Sequence, residues 1–296
     1  MSTYANRASA EGLPDALKQY LSTDQFDDTL RLLRQGQPIT RVTDRHVVKV
    51  RTGAHPYYLK TLDNERRFYA LGLSLPVGLP VVVFEDFTAA RGVLVLEKVS
   101  AKPLARKREG HGLVESSQAA VLELIARLQL TATPAGWACT HDRNDRVVQY
   151  RKAIASSGHP LAADVLPVLD AANGRLRGRG RSPALSHGDL NPMNILRAGD
   201  SFWFVDWEYA AVRPASYDPT AFTLFANDPR EGVSRLTALG SRWDIAELVE
   251  DAFVLAARQV KNWLTEGPGG ALARRRAAVW AEALSLLVRP GRLDLG

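Results

Sequence analysis

Two short stretches, HGDLNPMNIL (187–196) and WFVDWEYA (203–210), hold the side chains best suited to chemistry. Asp189 and Asn194 are five positions apart, and Asp206 follows Asn194 by twelve. Two carboxylates and an amide oxygen, brought together, form a hard-oxygen set. Such a set suits Mg²⁺, which takes few protein ligands and completes its octahedron with water and phosphate. Phosphoryl transfer needs this combination. One carboxylate orients the attacking hydroxyl and accepts its proton, and other oxygens hold the metal against nucleotide phosphates. In that chemistry Asp189 is the candidate base, and Asn194 and Asp206 are the candidate metal ligands. The competing reading of HGDLNPMN alone is a plain turn, because Asp and Asn are common turn formers. The ordered second motif, DWE after a strand, argues against it.

These residues need elements to position them. The stretch ILRAGDSFWFV reads as a β-hairpin turning at AGD, which would return Asp206 beside the loop of Asp189 and Asn194. Upstream, apolar periodicity predicts a helix over about 14–33, ended by Gly36, Gln37 and Pro38. Short β-like runs follow: PITRV, HVVKV and PYYLK, the last two joined by a hairpin turn around Gly53. A helix is expected at NERRFYALGL, then strands at GLPVVVFEDF and GVLVLEKV. The expectation is thus five strands with one helix after the third. Beyond Lys98 the pattern turns helical, in SSQAAVLELIARLQL, VVQYRKAIASS, PLAADVLPVLDAANGRL, DIAELVEDAFVLAARQVKNWL and ALARRRAAVWAEALSLLV. The reading is a small β-rich, nucleotide-binding lobe over 1–98 and a larger helical lobe over 99–296 that carries the catalytic loop and the substrate site.

Composition narrows the class. At 296 residues the chain can bury a large core, and no run approaches the length of a membrane span or a secretion signal. One cysteine, Cys139, rules out an intrachain disulfide and suits a reducing cytoplasm, where the protein is expected. The net charge of +6 and the tract RLRGRGR (175–181) raise the question of an anionic partner. That tract has no aromatic residues and reads as a solvated loop, so nucleic acid is not the expected partner.

HGDLNPMNIL followed by VDWEYA resembles the aminoglycoside phosphotransferase and choline kinase superfamily, the small-molecule relatives of protein kinases. LKTLDNERRFYALG, VLVLEKVS and YDPTAF resemble that family's lysine and glutamate pair, hinge strand and post-loop helix start. The resemblance implies an α+β, two-lobed, protein-kinase-like fold. It also implies transfer of the γ-phosphate of ATP, with Mg²⁺, to a hydroxyl of a small molecule. Carried over by position, Lys60 would contact the α- and β-phosphates, with Lys49 of HVVKV as the alternative lysine. Glu65 would pair with Lys60. The backbone of Glu97, Lys98 and Val99 would meet the adenine. His187 and Asp218 would brace the catalytic loop, and Glu208 would be structural or near the substrate. Trp203 and Trp207 read as packing aromatics.

Two departures stand out. The loop expected to close over phosphates, VTDRHV from Val42 to Val47, has no glycine, although backbone amides approach phosphate closely only where side chains are absent. The grip is then loose, absent, or made by the Thr43 and Arg45 side chains. Asn191 also replaces the residue common in relatives, on the substrate side. The acceptor itself is open between aminoglycoside, amino alcohol, sugar and macrolide. The acidic segment DIAELVED (244–251) is a candidate pocket for a cationic one. Three rivals remain in view. One is a pseudokinase serving as a nucleotide-binding or scaffolding module. The second is a nucleic-acid binder resting on the arginine tracts. The third, a protein kinase, is disfavoured because only WEYAAVRPASY separates Asp206 from Asp218.

Overall fold

The computed structural model describes residues 15–106, 113, 115–133, 137, 143–172, 176, 182–265 and 270–288. After a 3-10 turn at Asp15–Gln19, the first elements are α1 (Thr23–Arg34), β1 (Ile39–Val42), β2 (His46–Thr52), α2 (Pro56–Ala70), β3 (Val82–Phe87), β4 (Arg91–Glu97) and β5 (Lys102–Pro103). Then come α3 (Glu115–Leu128), α4 (Arg143–Ser156), α5 (Ala162–Ala172), β6 (Pro183–Ser186), β7 (Ile195–Ala198), β8 (Ser201–Phe204) and β9 (Ala211–Pro214). The chain continues with α6 (Tyr217–Ala226), α7 (Pro229–Arg235), α8 (Ile245–Thr265) and α9 (Gly270–Leu287). The chain forms two units, Met1–Lys102 with Ile195–Ala210, and Pro103–Asn194 with Ala211–Gly296.

The first unit is built on an antiparallel sheet of order β1-β2-β4-β3. Alternate side chains of a strand point to opposite faces. Val48, Val50, Val93 and Val95 therefore share one face and bury against Leu17, Phe26 and Leu33 of the N-terminal helical segment. Leu94 and Leu96 occupy the other face, against Leu62 of α2. Lys49, between Val48 and Val50 and registered opposite Leu94, must follow Leu94 to the α2 side. The hairpin of β7 and β8 also belongs to this unit, paired from Ile195↔Phe204 to Ala198↔Ser201. Gly199, at φ +58°, supplies its turn. The hairpin anchors at Gly78, whose N–H donates to the Phe202 carbonyl at 2.8 Å. A Cβ on Gly78 would lie 2.2 Å from the Trp203 ring, so only glycine lets the indole lie on the backbone there. Trp207 stacks on Phe68 of α2, with ring centroids 4.0 Å apart.

The second unit is helical. The long helix α8 packs against α9, α4 and α6. Residues Leu248 to Ala257 of α8 are buried on every side, as expected of a central helix. The short antiparallel pair β6 and β9 carries the Asp189 loop at one end and Ser216 at the other.

Several expectations change. The first sheet has four strands, and its helix follows the second strand. PYYLK forms the first turn of α2, because Pro56 stands at the start, where its missing N–H costs no helix bond and its fixed φ suits the helix. The expected helix over 14–33 is interrupted, and Pro14 lies outside the described residues. Ser22 caps α1 in a reciprocal capping box with Gln25, which starts a new helix there. The segment 195–210, expected in the helical lobe, packs with the sheet unit through its Gly78 and Phe68 contacts. Cys139 and the tract 175–181, except Leu176, lie outside the described residues. Among the described residues no helix is long and apolar enough to cross a membrane.

Candidate active site

In the first unit, Lys49 is the centre of the arrangement. Its Nζ donates to Glu65 Oε2 and to Asp206 Oδ1, both at 2.6 Å. Lys49 and Glu65 are buried, at 6% and 0% exposure, while Asp206 remains partly open. Burial alone would push the Lys49 ammonium toward losing its proton. The Glu65 and Asp206 carboxylates outweigh burial and hold it protonated above the usual lysine range. Tyr69, one turn beyond Glu65, donates its hydroxyl to Glu65 Oε1 at 3.1 Å. Burial and the Glu65 charge raise that phenol well above its ordinary value, so it stays a donor. Asp206 has φ +70°, the left-handed region that costs most side chains about 1 kcal/mol and that Asp tolerates. Glu208 accepts from the Thr61 hydroxyl at 3.3 Å. Its carboxyl is pushed up to about 7, chiefly by burial and then by the Asp206 charge.

The second unit holds the other half of the motif. Asp218, at the start of α6, is buried and accepts three hydrogen bonds. They come from the Ser186 hydroxyl at 2.9 Å, the His187 amide at 2.7 Å and the Gly188 amide at 3.1 Å. Gly188 turns at φ +82°, which presents Asp189 to the loop. Asn194 and Asn191 donate their amide NH₂ groups to the Asp189 carbonyl at 3.0 and 3.1 Å. Asn191 also reaches Asp189 Oδ2 at 3.3 Å and accepts from the Met193 amide at 3.1 Å. The bond from Asn194 Nδ2 fixes which way its amide faces. Arg258 of α8 stands 3.7 Å from Asp189 Oδ1.

The loop thus has a braced carboxylate and a braced amide, and the sheet unit has a lysine held by two acids. The family model for the phosphotransferase enzyme family, APH, matches residues 35–253, which include all of these side chains except Arg258. The chain belongs to this phosphotransferase family. No curated protein matches it. The same fold appears in a choline/ethanolamine kinase family protein from Mesorhizobium loti, at 19% identity and a TM-score of 0.62, covering 86% of each chain. It also appears in the GDP complex of wild-type aminoglycoside 2'-phosphotransferase-IIIa, at 17% identity and 0.59, covering 85% of this chain and 88% of that one. A third is a thermostable mutant of aminoglycoside phosphotransferase APH(4)-Ia in a ternary complex with ADP and hygromycin B. That match has 14% identity and a TM-score of 0.60, with coverage of 92% and 99%. The α+β, kinase-like fold and the phosphotransferase class follow.

Within this phosphotransferase, one pairing needs correction. Lys60 lies on α2 with its side chain exposed, and the partner of Glu65 is Lys49. PYYLK opens a helix, so Lys60 is not a strand residue. On a helix, positions 60 and 65 are not neighbours on one face. Lys49, Glu65 and Asp206 come together in the first unit, and Asp189 and Asn194 come together in the second. The Glu97 amide donates to the Val81 carbonyl and the Lys98 amide to the Arg45 carbonyl, at 2.8 and 2.7 Å. Those two N–H groups therefore serve the sheet. The Val42–Val47 loop is a tight turn in which the Thr43 hydroxyl accepts from the His46 amide at 2.9 Å. Thr43 is engaged in its own turn, which leaves Arg45, exposed, as the side chain able to reach outward. Residues missed from sequence are Tyr69, which one helical turn after Glu65 would have suggested, and Arg258, which no local pattern links to Asp189.

Proposed function

We propose that this phosphotransferase moves the γ-phosphate of ATP, in the presence of Mg²⁺, to a hydroxyl of a small molecule. The observation that carries the reading is the Asp189 loop, with a carboxylate presented by a backbone that Asp218, Asn191 and Asn194 hold in place. Asp189 accepts the proton of the attacking hydroxyl as its oxygen bonds to phosphorus and ADP leaves. Lys49 is the phosphate lysine. Its ammonium stays charged and is aimed by Glu65, and phosphate oxygens would share it with Asp206. The hinge donor toward a purine is the Val99 amide. Solved proteins of this fold were captured with GDP and kanamycin, and with ADP and hygromycin B, which supports a nucleotide donor and a small-molecule acceptor.

Magnesium is assigned to Asn194 and Asp206. An amide oxygen and a carboxylate are both hard ligands, the kind that suits Mg²⁺. Among the described residues no group of three or more His, Cys, Asp or Glu is placed to hold a metal. When bound, Mg²⁺ would supply neutralisation of the charge developing on the phosphates. The test is acceptor-dependent ADP formation from ATP, with GTP as a second donor, over amino alcohols, sugars and antibiotics. Turnover should require Mg²⁺, stop on addition of EDTA and return with excess Mg²⁺. Acceptor-dependent turnover that persists in EDTA would contradict the metal assignment.

A further inference from the structure

The second unit places an unexpected cation beside the proposed base. Arg258 Nη2 lies 3.7 Å from Asp189 Oδ1, longer than a hydrogen bond, and its Nη1 lies 3.5 Å from the Tyr217 hydroxyl. Tyr217 reaches back to the Gly188 carbonyl at 3.4 Å, one residue before Asp189. The Arg213 guanidinium covers the Tyr217 ring at 4.7 Å. Across from α8, Tyr150 of α4 feels the same positive field. Burial raises its phenol, with Tyr217 adding to the rise and Arg258, Arg146 and Arg213 opposing it only in part. Asp189 is the carboxylate that faces Arg258 in this group. Asp251 and Glu247, in the segment read as a cationic-substrate pocket, are buried and accept from the Ser216 hydroxyl at 2.6 and 3.4 Å. Those two acids support the fold, while Asp244 at the start of the segment is exposed and accepts from the Glu247 amide at 3.1 Å.

We infer that the acceptor carries an oxyanion, a carboxylate or a phosphate, near its reacting hydroxyl, and that Arg258 recognises it. The inference rests on the reading of Asp189 as base. A guanidinium offers two parallel N–H donors that match such an anion, whereas a polyamine brought to Asp189 meets like charge. Arg258 is then a specificity-determining residue of the phosphotransferase.

Calorimetry on the full chain with Mg²⁺ and a non-hydrolysable ATP analogue tests this with four probes: glycerol, glycerate, glycerol 3-phosphate and ethanolamine. At least one anion should bind more tightly than glycerol by about 10- to 100-fold, the range of charge-assisted hydrogen bonds. Ethanolamine should bind no better than glycerol. Arg258→Gln should erase the preference, and Arg258→Lys should keep part of it. Glycerate against glycerol 3-phosphate decides between carboxylate and phosphate. No anion preferred over glycerol, ethanolamine preferred, or a preference that survives Arg258→Gln would each overturn the inference. Turnover of Asp189→Asn separates the two claims. An inactive Asp189→Asn with no anion preference removes the inference and leaves the base in place. An active Asp189→Asn removes the base, and the inference with it.

Discussion

Asp189→Asn will lower acceptor-dependent turnover by about 10²- to 10⁴-fold, the usual contribution of a positioned general base, and will bind ATP as the wild type does. The substitution is nearly isosteric. The amides of Asn191 and Asn194 bond mainly to the Asp189 backbone carbonyl, which the change leaves intact. Asp218 continues to hold the His187 and Gly188 amides. The loop therefore keeps its shape while losing the proton acceptor. Steady-state ADP release beside a thermal melt reads both quantities. A stable variant with near-normal kcat would remove Asp189 from the chemistry.

The second large effect separates two lysines. Lys49→Met leaves Glu65, fully buried, without its cationic partner, and breaking such a pair costs about 3–5 kcal/mol. Denaturant unfolding should show that loss, and ATP binding should vanish with it. Adding Glu65→Gln to Lys49→Met removes the stranded charge. Stability should then partly recover while ATP binding does not. Lys60→Ala, on the exposed face of α2, should change stability by less than about 0.5 kcal/mol and leave ATP affinity as it was. An ATP-binding defect in Lys60→Ala with none in Lys49→Met would reverse the assignment.

What the sequence revealed, and what it hid, follows from the range of the forces involved. The catalytic loop was legible because its residues are close in sequence and their types are chemically demanding. The β7–β8 hairpin was legible from AGD, since Gly199 needs a positive φ there. The lysine pairing turns on one residue, Pro56. Pro56 serves a helix start as readily as a turn, and PYYLK is too short to show its period. Once Pro56 is placed at the start of α2, the alternation of Val48, Lys49 and Val50 directs Lys49 to Glu65 without further information. The break at Ser22 was visible in principle as Ser followed three residues later by Gln25, but the apolar periodicity on both sides masked it. The attachment of 195–210 to the sheet unit depends on Trp203 over Gly78 and Trp207 on Phe68, contacts that no local pattern encodes. Arg258 is the extreme case, since its relation to Asp189 exists only because α8 is buried at the centre of its unit. The fate of DIAELVED makes the same point in reverse. Its acids looked like a surface, and the fold turned Asp251 and Glu247 inward to Ser216.

The proposed nucleotide site depends on magnesium and includes Asp206. Calorimetric titration of ATP, with and without Mg²⁺, into the wild type and Asp206→Asn probes that site. Asparagine tolerates the left-handed backbone at position 206, so the variant keeps its fold and loses only the charge. Binding should require Mg²⁺ in the wild type and be lost in Asp206→Asn. ATP binding that is indifferent to Mg²⁺ and unchanged in the variant would contradict it.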